Sequence, residues 1–255
     1  MRTKTLLLSA AAMLAVGIVS SQAQSTVYSQ NVVGYANVVT PGNGSTYYSM
    51  TVPFVIGASN GANEVFGTNG LTDTTTILTW NGGGYTSTVF ASPTDENISG
   101  VQWYTDQNED TAAQIPVLPP GEGFFLQPGP GNLTNTFAGT IAAPLGGTTN
   151  MTLVGNGATY YSVGSIIPFA GYITNIGGVN MTNLPDTSTI LTWNGSGYTS
   201  TVYAAPTDEN ISGIQFYTDQ NEDTPAPCPT LIVGQGFFLQ PGPGTYLWSE
   251  TLPSN

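Results

Sequence analysis

The sequence predicts an all-β protein made of two tandem, homologous antiparallel β-sandwich or barrel domains. Short runs rich in Thr, Val, Ile and Tyr alternate with Gly, Asn and Pro, which is the pattern of strands joined by turns. Residues 76–110 recur at 189–223 with five of 35 positions changed, an offset of 113 residues that suits a small domain. No stretch after the N-terminal region combines helical periodicity with capping residues.

The N-terminus has the layout of a secretory signal peptide. Arg2 and Lys4 precede an apolar run over residues 6–19, and small residues follow up to Ala23. No later stretch is long and apolar enough for a membrane-spanning helix. We therefore expect a secreted protein, extracellular or at the cell surface, with a signal peptide at 1–23, a first β domain at 24–144 and a second at 145–255.

The charge composition excludes several functions. The chain has 15 acidic residues, 2 basic residues and no histidine, and both basic residues lie in the predicted signal peptide. Without cations the mature chain cannot neutralise phosphates, which excludes nucleic acid as a partner. Catalytic triads, Schiff bases and most zinc sites need His, Lys or Cys, so we predict that the protein is not an enzyme. The single cysteine, Cys228, has no partner within the chain, and the sequence leaves its role open.

Two matching hairpins are the strongest local signal. Strands are predicted at 76–80 and 85–90 around an Asn-Gly-Gly-Gly turn, and again at 189–193 and 198–203. Short strands are also predicted at 124–126 and 237–239. The hairpin aromatics could stack on sugars, but at alternate positions beside a turn packing across strands is favoured. The candidate sugar-binding residues are Trp80, Tyr85, Trp193 and Tyr198.

The segment 27–39, VYSQNVVGYANVV, has high β propensity and no charge. Its positional counterpart, 141–152, resembles a linker, so we expect the first domain to carry an extra N-terminal strand that its twin lacks. Such a strand can join the open sheet edge of another subunit, or fold back as an edge strand of its own domain. The candidate subunit contacts are Val27, Tyr28, Val32, Val33, Tyr35 and Val38.

The motifs resemble those of a group of secreted bacterial β-repeat proteins. The similarity is carried by the VYSxNxVGYxNV segment at 27–38, by Trp-Asn at 80–81 and 193–194, and by the GEGFF-type segments at 121–125 and 234–238. It implies an exported β protein and supplies no established activity. The second copy departs from the pattern at Gln235, where the first copy has Glu122.

Acidic residues are concentrated in two matching loops. Asp106-x-Asn108-x-Asp110 has the alternating oxygen spacing that opens many calcium loops. Thr111 and Val117 replace the Gly and Glu of a helical calcium hand, so the expected site is a β loop completed by nearby acids. The alternative is a solvated acidic turn that maintains solubility. The candidate calcium ligands are Asp95, Glu96, Asp106, Asn108 and Asp110 in one copy, and Asp208, Glu209, Asp219, Asn221 and Asp223 in the other.

The sequence therefore predicts a secreted structural protein that self-assembles into an extracellular fibre or surface layer through its N-terminal strand, with calcium as a candidate cofactor. The alternative is a calcium-dependent carbohydrate-binding protein. Among the Asn-x-Ser/Thr triplets, only Asn97 and Asn210 coincide between the copies. They are the candidate glycosylation sites, although a chain rich in Asn, Ser and Thr produces such triplets by chance.

Overall fold

The computed structural model describes residues 32–67, 70–92, 102–205, 215–221 and 223–254. These residues belong to one compact unit, Asn31–Asn255. The strands pair antiparallel throughout the described chain, and one short helix accompanies them, so the prediction of an all-β antiparallel fold is confirmed. None of the helices described is long and apolar enough to cross a membrane.

The first half of the unit contains a five-stranded sheet and a two-stranded sheet. The larger sheet has the order β2-β6-β3-β4-β5, and the smaller one pairs β1 with β7. The elements are β1 (Val33–Gly42), β2 (Tyr48–Thr51), α1 (Ala62–Phe66), β3 (Thr75–Trp80), β4 (Tyr85–Phe90), β5 (Trp103–Tyr104), β6 (Gly123–Gln127) and β7 (Gly131–Thr140).

The second half repeats this arrangement. Its five-stranded sheet has the order β9-β15-β11-β12-β13, its two-stranded sheet pairs β8 with β16, and β10 pairs with β14. The strands are β8 (Thr148–Gly155), β9 (Tyr161–Gly164), β10 (Gly171–Tyr172), β11 (Ser188–Trp193), β12 (Tyr198–Tyr203), β13 (Phe216–Tyr217), β14 (Thr230–Leu231), β15 (Gly236–Gln240) and β16 (Gly244–Thr251).

Each half buries its core between its large and its small sheet. Side chains alternate along β7, with positions 133, 135 and 137 buried and the residues between them exposed. Phe137 from β7 joins Ile77 and Phe124 of the large sheet in the first core. In the second half Trp248 from β16 packs with Ile190 and Phe237. Two sheets with facing apolar surfaces form a sandwich.

The N-terminal strand folds back on its own half. β1 pairs with β7 over ten residues, from Val33 opposite Thr140 to Gly42 opposite Gly131. The expectation that the second half lacks this strand is wrong, because residues 148–155 form β8 and pair with β16 in the matching register. The Gly, Thr and Asn content of this segment does not indicate a strand. The segment can still form one, because the hydrogen bonds between strands are made by backbone groups. Leu153 at an inward position still anchors it in the core.

The short helix α1 is held at its start by a side chain of its own first turn. The Glu64 carboxylate accepts hydrogen bonds from the backbone N–H groups of Ala58, Ser59 and Gly61. These bonds, led by the one from Ala58, hold the pKa of Glu64 down to about 2. A helix of five residues is too short to show the periodicity that sequence reasoning needs.

Candidate functional site

The two halves meet through a reciprocal pair of indole hydrogen bonds. Trp80 Nε1 donates to the backbone oxygen of Tyr160 at 2.9 Å. Trp193 Nε1 donates to the backbone oxygen of Tyr47 at 2.7 Å. Each donor and each acceptor occupies the same position in its own repeat. The contact is therefore self-complementary, like the interface of a two-fold symmetric dimer.

Backbone hydrogen bonds extend the same symmetry. Thr51 N–H donates to the oxygen of Gly234 at 2.9 Å, and Gly164 N–H donates to the oxygen of Gly121 at 3.0 Å. The ends of β2 and β9, which are edge strands of their sheets, thus bond to the turn that enters the GFF strand of the opposite half. Because this pairing satisfies groups at two sheet edges, it joins the halves without exposing those edges there.

All four predicted sugar-binding aromatics lie in this contact. The hydroxyl oxygens of Tyr85 and Tyr198 are 3.4 Å apart, where the matching hairpins meet. Trp80 packs edge-on against Phe238 with ring centroids 5.2 Å apart, and Trp193 repeats this with Phe125 at 5.3 Å. These aromatic side chains therefore pack against other rings, and packing is the role that the sequence favoured over sugar stacking. An open apolar depression of about 210 Å³ lies over Trp80, Tyr85, Tyr160, Leu191, Tyr198 and Phe238, and sugar binding there stays a prediction.

Two larger grooves flank the contact. The first groove, about 400 Å³, is lined by Trp80, Glu122, Phe124, Leu153, Tyr161 and Ser162, among others. The second groove, about 280 Å³, is lined by Trp193, Gln235, Val39, Tyr48 and Ser49, among others. Most lining residues of one groove have their repeat equivalents in the other. The sequence did not predict either groove, because the grooves exist only where the halves meet. It did show that Glu122 of the first groove is replaced by Gln235 in the second.

The described part of each acidic loop forms a solvent-exposed turn. Asp106 Oδ1 accepts the backbone N–H of Asn108 at 3.0 Å, and Asp219 Oδ1 accepts that of Asn221 at the same distance. In the described part of the chain, no three His, Cys, Asp or Glu residues come together as a metal site. The remaining predicted ligands and glycosylation sites lie outside the described residues: Asp95, Glu96, Asp208, Glu209, Asn97 and Asn210.

Calcium binding by these turns stays a prediction. An ion that binds only the folded state stabilises it increasingly as the free ion concentration rises above the dissociation constant, so added calcium should raise the melting temperature of chelator-treated protein. Replacing Asp110 and Asp223 by Asn should reduce that rise. An unchanged melting temperature would leave the turns as solvated acidic surface.

The predicted subunit contacts divide between the two faces of β1. Val33 and Tyr35 point outward with exposures of 73% and 75%, as does Val39 at 60%. Val38 faces inward, where it packs against the core of the first half. Val32 is partly buried against the same core. Val27 and Tyr28 lie outside the described residues.

One edge of β1 has no partner strand among the described residues. The N–H of Ile141 donates to the oxygen of Val32, which makes this a hydrogen-bonded pair of the β1–β7 ladder. Such pairs alternate in an antiparallel ladder, so the even-numbered residues bond to β7. The N–H and C=O groups of Val33, Tyr35, Asn37 and Val39 then point away from β7, and none of them bonds to another described backbone group.

No protein-family model, curated protein or solved structure matches this chain. The fold and the site define an all-β antiparallel protein with two matching halves and with grooves between them, in which the uncharged strand β1 has one edge without a partner among the described residues.

Proposed function

We propose that the protein is a secreted structural protein whose copies assemble into an extracellular fibre or surface layer by pairing exposed edge strands. The observation that carries this proposal is the open edge of β1. Four alternate residues, Val33, Tyr35, Asn37 and Val39, direct their N–H and C=O groups away from β7, and none of these groups bonds to another described backbone group. An open edge of this length is a template for another strand.

The side chains of β1 favour this pairing. Soluble proteins normally protect an edge with lysine, proline or inward-pointing charge. β1 carries no charged residue, and its outward face exposes Val33, Tyr35 and Val39. Pro41 is the only proline in the strand and lies near its end. A second strand placed along this edge would bury apolar surface and satisfy the backbone groups together.

The second half supplies an equivalent edge. Leu252 N–H donates to the oxygen of Gly147, so the odd-numbered residues of β8 bond to β16 and the even-numbered ones point outward. At the end of each edge a tyrosine hydroxyl donates a hydrogen bond to one outward-directed carbonyl oxygen. Tyr48 donates to Pro41, and Tyr161 donates to Val154. One molecule therefore has two similar edges, and joining β1 of one copy to β8 of the next gives an open chain rather than a closed dimer.

The charge distribution fits assembly through these edges. The chain has 15 acidic residues, so two copies repel each other over most approaches. The residues of β1 and β8 include no Asp or Glu. Copies that meet edge to edge thus place their least repulsive surfaces together, while the acidic turns stay in water.

Asn37 allows a clean test by electron microscopy and sedimentation of the full chain. Its N–H points outward, so Asn37→Pro removes a donor from the edge and leaves the ladder to β7 intact. Asn37→Ala is the matched control, because both variants lose the bond from Thr136 Oγ1 to Asn37 Oδ1. We expect polymers from the wild type and from Asn37→Ala, and monomers from Asn37→Pro. Monomers in all three samples at high concentration would refute assembly.

Carbohydrate binding is the second candidate function, and the aromatic depression between the hairpins favours it. Tyr85 and Tyr198 are exposed there, and aromatic faces stack on sugar rings. A glycan array would test it, with calcium and with chelator. Binding that is lost in Tyr85→Ala and Tyr198→Ala would support this function, and an array without any signal would exclude it.

A further inference from the structure

The two grooves differ at one position for a structural reason. In the second groove, Gln235 Oε1 accepts the N–H of Ile232 at 3.1 Å, so this side chain folds back over its own turn. The equivalent of Ile232 in the first half is Pro119, which has no N–H to offer. The turn itself is the same, since Glu122 N–H donates to Pro119 and Gln235 N–H donates to Ile232. Glu122 therefore lacks the hydrogen bond that holds Gln235 over its turn.

The Glu122 side chain, which is not held by such a bond, lines the larger groove. The first groove measures about 400 Å³, against about 280 Å³ for the second. Glu122 keeps part of its surface in contact with solvent, yet its neighbours desolvate the carboxyl enough to raise its pKa, and none of the described residues donates a hydrogen bond to it. Ser162, a residue only 9% exposed, lines the same groove, and its hydroxyl oxygen is buried without a hydrogen-bond partner in the described chain.

No side chain of the predicted mature chain can supply a counter-charge for Glu122. Arg2 and Lys4 are its only basic residues, and there is no histidine. Both cations belong to the predicted signal peptide. A partly desolvated carboxylate without a counter-ion gains from a cation that enters the groove. Apart from its N-terminal amine, the predicted mature chain has no cation to offer.

We propose that the first groove is a binding site for an organic cation, with the ammonium group of the ligand paired to the Glu122 carboxylate. Trp80, Phe124 and Leu153 form the apolar wall against which the carbon part of the ligand packs. The aromatic ring of Trp80 adds attraction for a positive charge. No residue of β1 lines this groove, whereas Thr152 and Leu153 of β8 do, so binding is measured on the dilute monomer.

The probe is benzylammonium, and benzyl alcohol is its neutral counterpart of nearly the same shape. Both are titrated into the full chain labelled with nitrogen-15, and the indole N–H signal of Trp80 reports binding. We expect benzylammonium to bind about tenfold more tightly than benzyl alcohol, as one partly desolvated ionic hydrogen bond would give. The difference should vanish as the pH falls below the raised pKa of Glu122, because the carboxyl is then neutral.

Three variants locate the effect. Glu122→Gln installs the residue that the twin turn already carries, so it should fold normally and remove the preference for the cation. Pro119→Ile restores the N–H found at Ile232, so it should weaken cation binding with Glu122 still present. Gln235→Glu is the control, because Ile232 N–H can hold the new carboxylate, and it should leave the Trp80 signal and the affinity unchanged.

Two results would overturn the proposal. One is equal affinity for benzylammonium and benzyl alcohol, or no binding of either, in the wild type. The other is a preference for the cation that survives in Glu122→Gln. Circular dichroism and the indole signals of all four tryptophans check that each variant is folded.

Discussion

Trp80 donates a hydrogen bond of 2.9 Å from its indole Nε1 to the backbone oxygen of Tyr160, across the contact between the two halves. The same bond in the opposite sense runs from Trp193 to Tyr47. A duplicated sequence has thus kept the geometry of a symmetric dimer inside one chain. Each half uses its hairpin to hold the edge of the other, and the grooves lie beside these two bonds.

Removing one indole bond should destabilise the protein. Trp80→Phe keeps an aromatic ring beside Phe238 but leaves the oxygen of Tyr160 without its donor. We expect the free energy of unfolding to fall by about 1–3 kcal/mol, the cost of an unpaired group together with lost packing. Denaturant unfolding measures it.

Symmetry provides the controls for this prediction. Trp193→Phe should cost a similar amount, because its environment repeats that of Trp80. Tyr85→Phe should change stability by less than about 0.5 kcal/mol, since its hydroxyl is exposed and its bond to Tyr198 is long at 3.4 Å. A negligible effect of both tryptophan substitutions would contradict the description of the contact.

Glu250 should make stability depend on pH. The side chain is fully buried in β16, and burial raises its pKa to about 7 despite hydrogen bonds from Ser165 and from the backbone of Ile166 and Ile167. The folded chain holds a proton that the unfolded chain releases above about pH 4.5. Stability from this group is therefore complete below pH 4.5 and is lost as the pH rises through 7, by about 3 kcal/mol in total.

The measurement is the free energy of unfolding between pH 4.5 and 8 for the wild type and for Glu250→Gln. The variant has no proton to lose at this position, so its profile should be flatter over that window. Tyr246 interacts electrostatically with Glu250, but its pKa is raised well above this range, so it does not titrate in this window. Parallel profiles for the two proteins would show that Glu250 is not the source.

Asn135 should be a site where stability can be gained. It is buried in β7, and its Nδ2 has no hydrogen-bond partner in the described chain. The repeat equivalent is Trp248, which fills the second core. Asn135→Leu removes the unpaired amide and adds apolar contact. We therefore expect the free energy of unfolding to rise by about 1 kcal/mol, with a higher melting temperature. Thr134→Val on the exposed face is the control, and a fall in the Asn135→Leu melting temperature would count against the burial of this side chain.

The hairpins show how much local sequence can predict. The strands expected at 76–80 and 85–90 are β3 and β4, with one residue added at the start of β3. The turn works as its composition indicates, because Asn81 Oδ1 accepts the N–H groups of Gly83 and Gly84. Such features depend on a few neighbouring residues, and those are fully visible in the sequence.

Features that depend on distant partners could not be predicted. β8 was missed because its pairing with β16 comes from backbone groups that composition does not show. The hairpin aromatics were identified, but only the meeting of the two halves turns them toward each other. The first groove likewise combines the turn at Glu122 with Ser162 of the other half, and no local pattern links these residues.

The central claim, that copies join through the open edge of β1, is tested most directly by residue-resolved amide hydrogen exchange. Dilute monomer and concentrated, assembled protein are compared at Val33, Tyr35, Asn37 and Val39. We predict rapid exchange at these amides in the monomer and strong protection in the assembly, while Gly34, Ala36 and Val38, which bond to β7, stay protected in both. Equal exchange of the four outward amides in monomer and assembly would contradict the account.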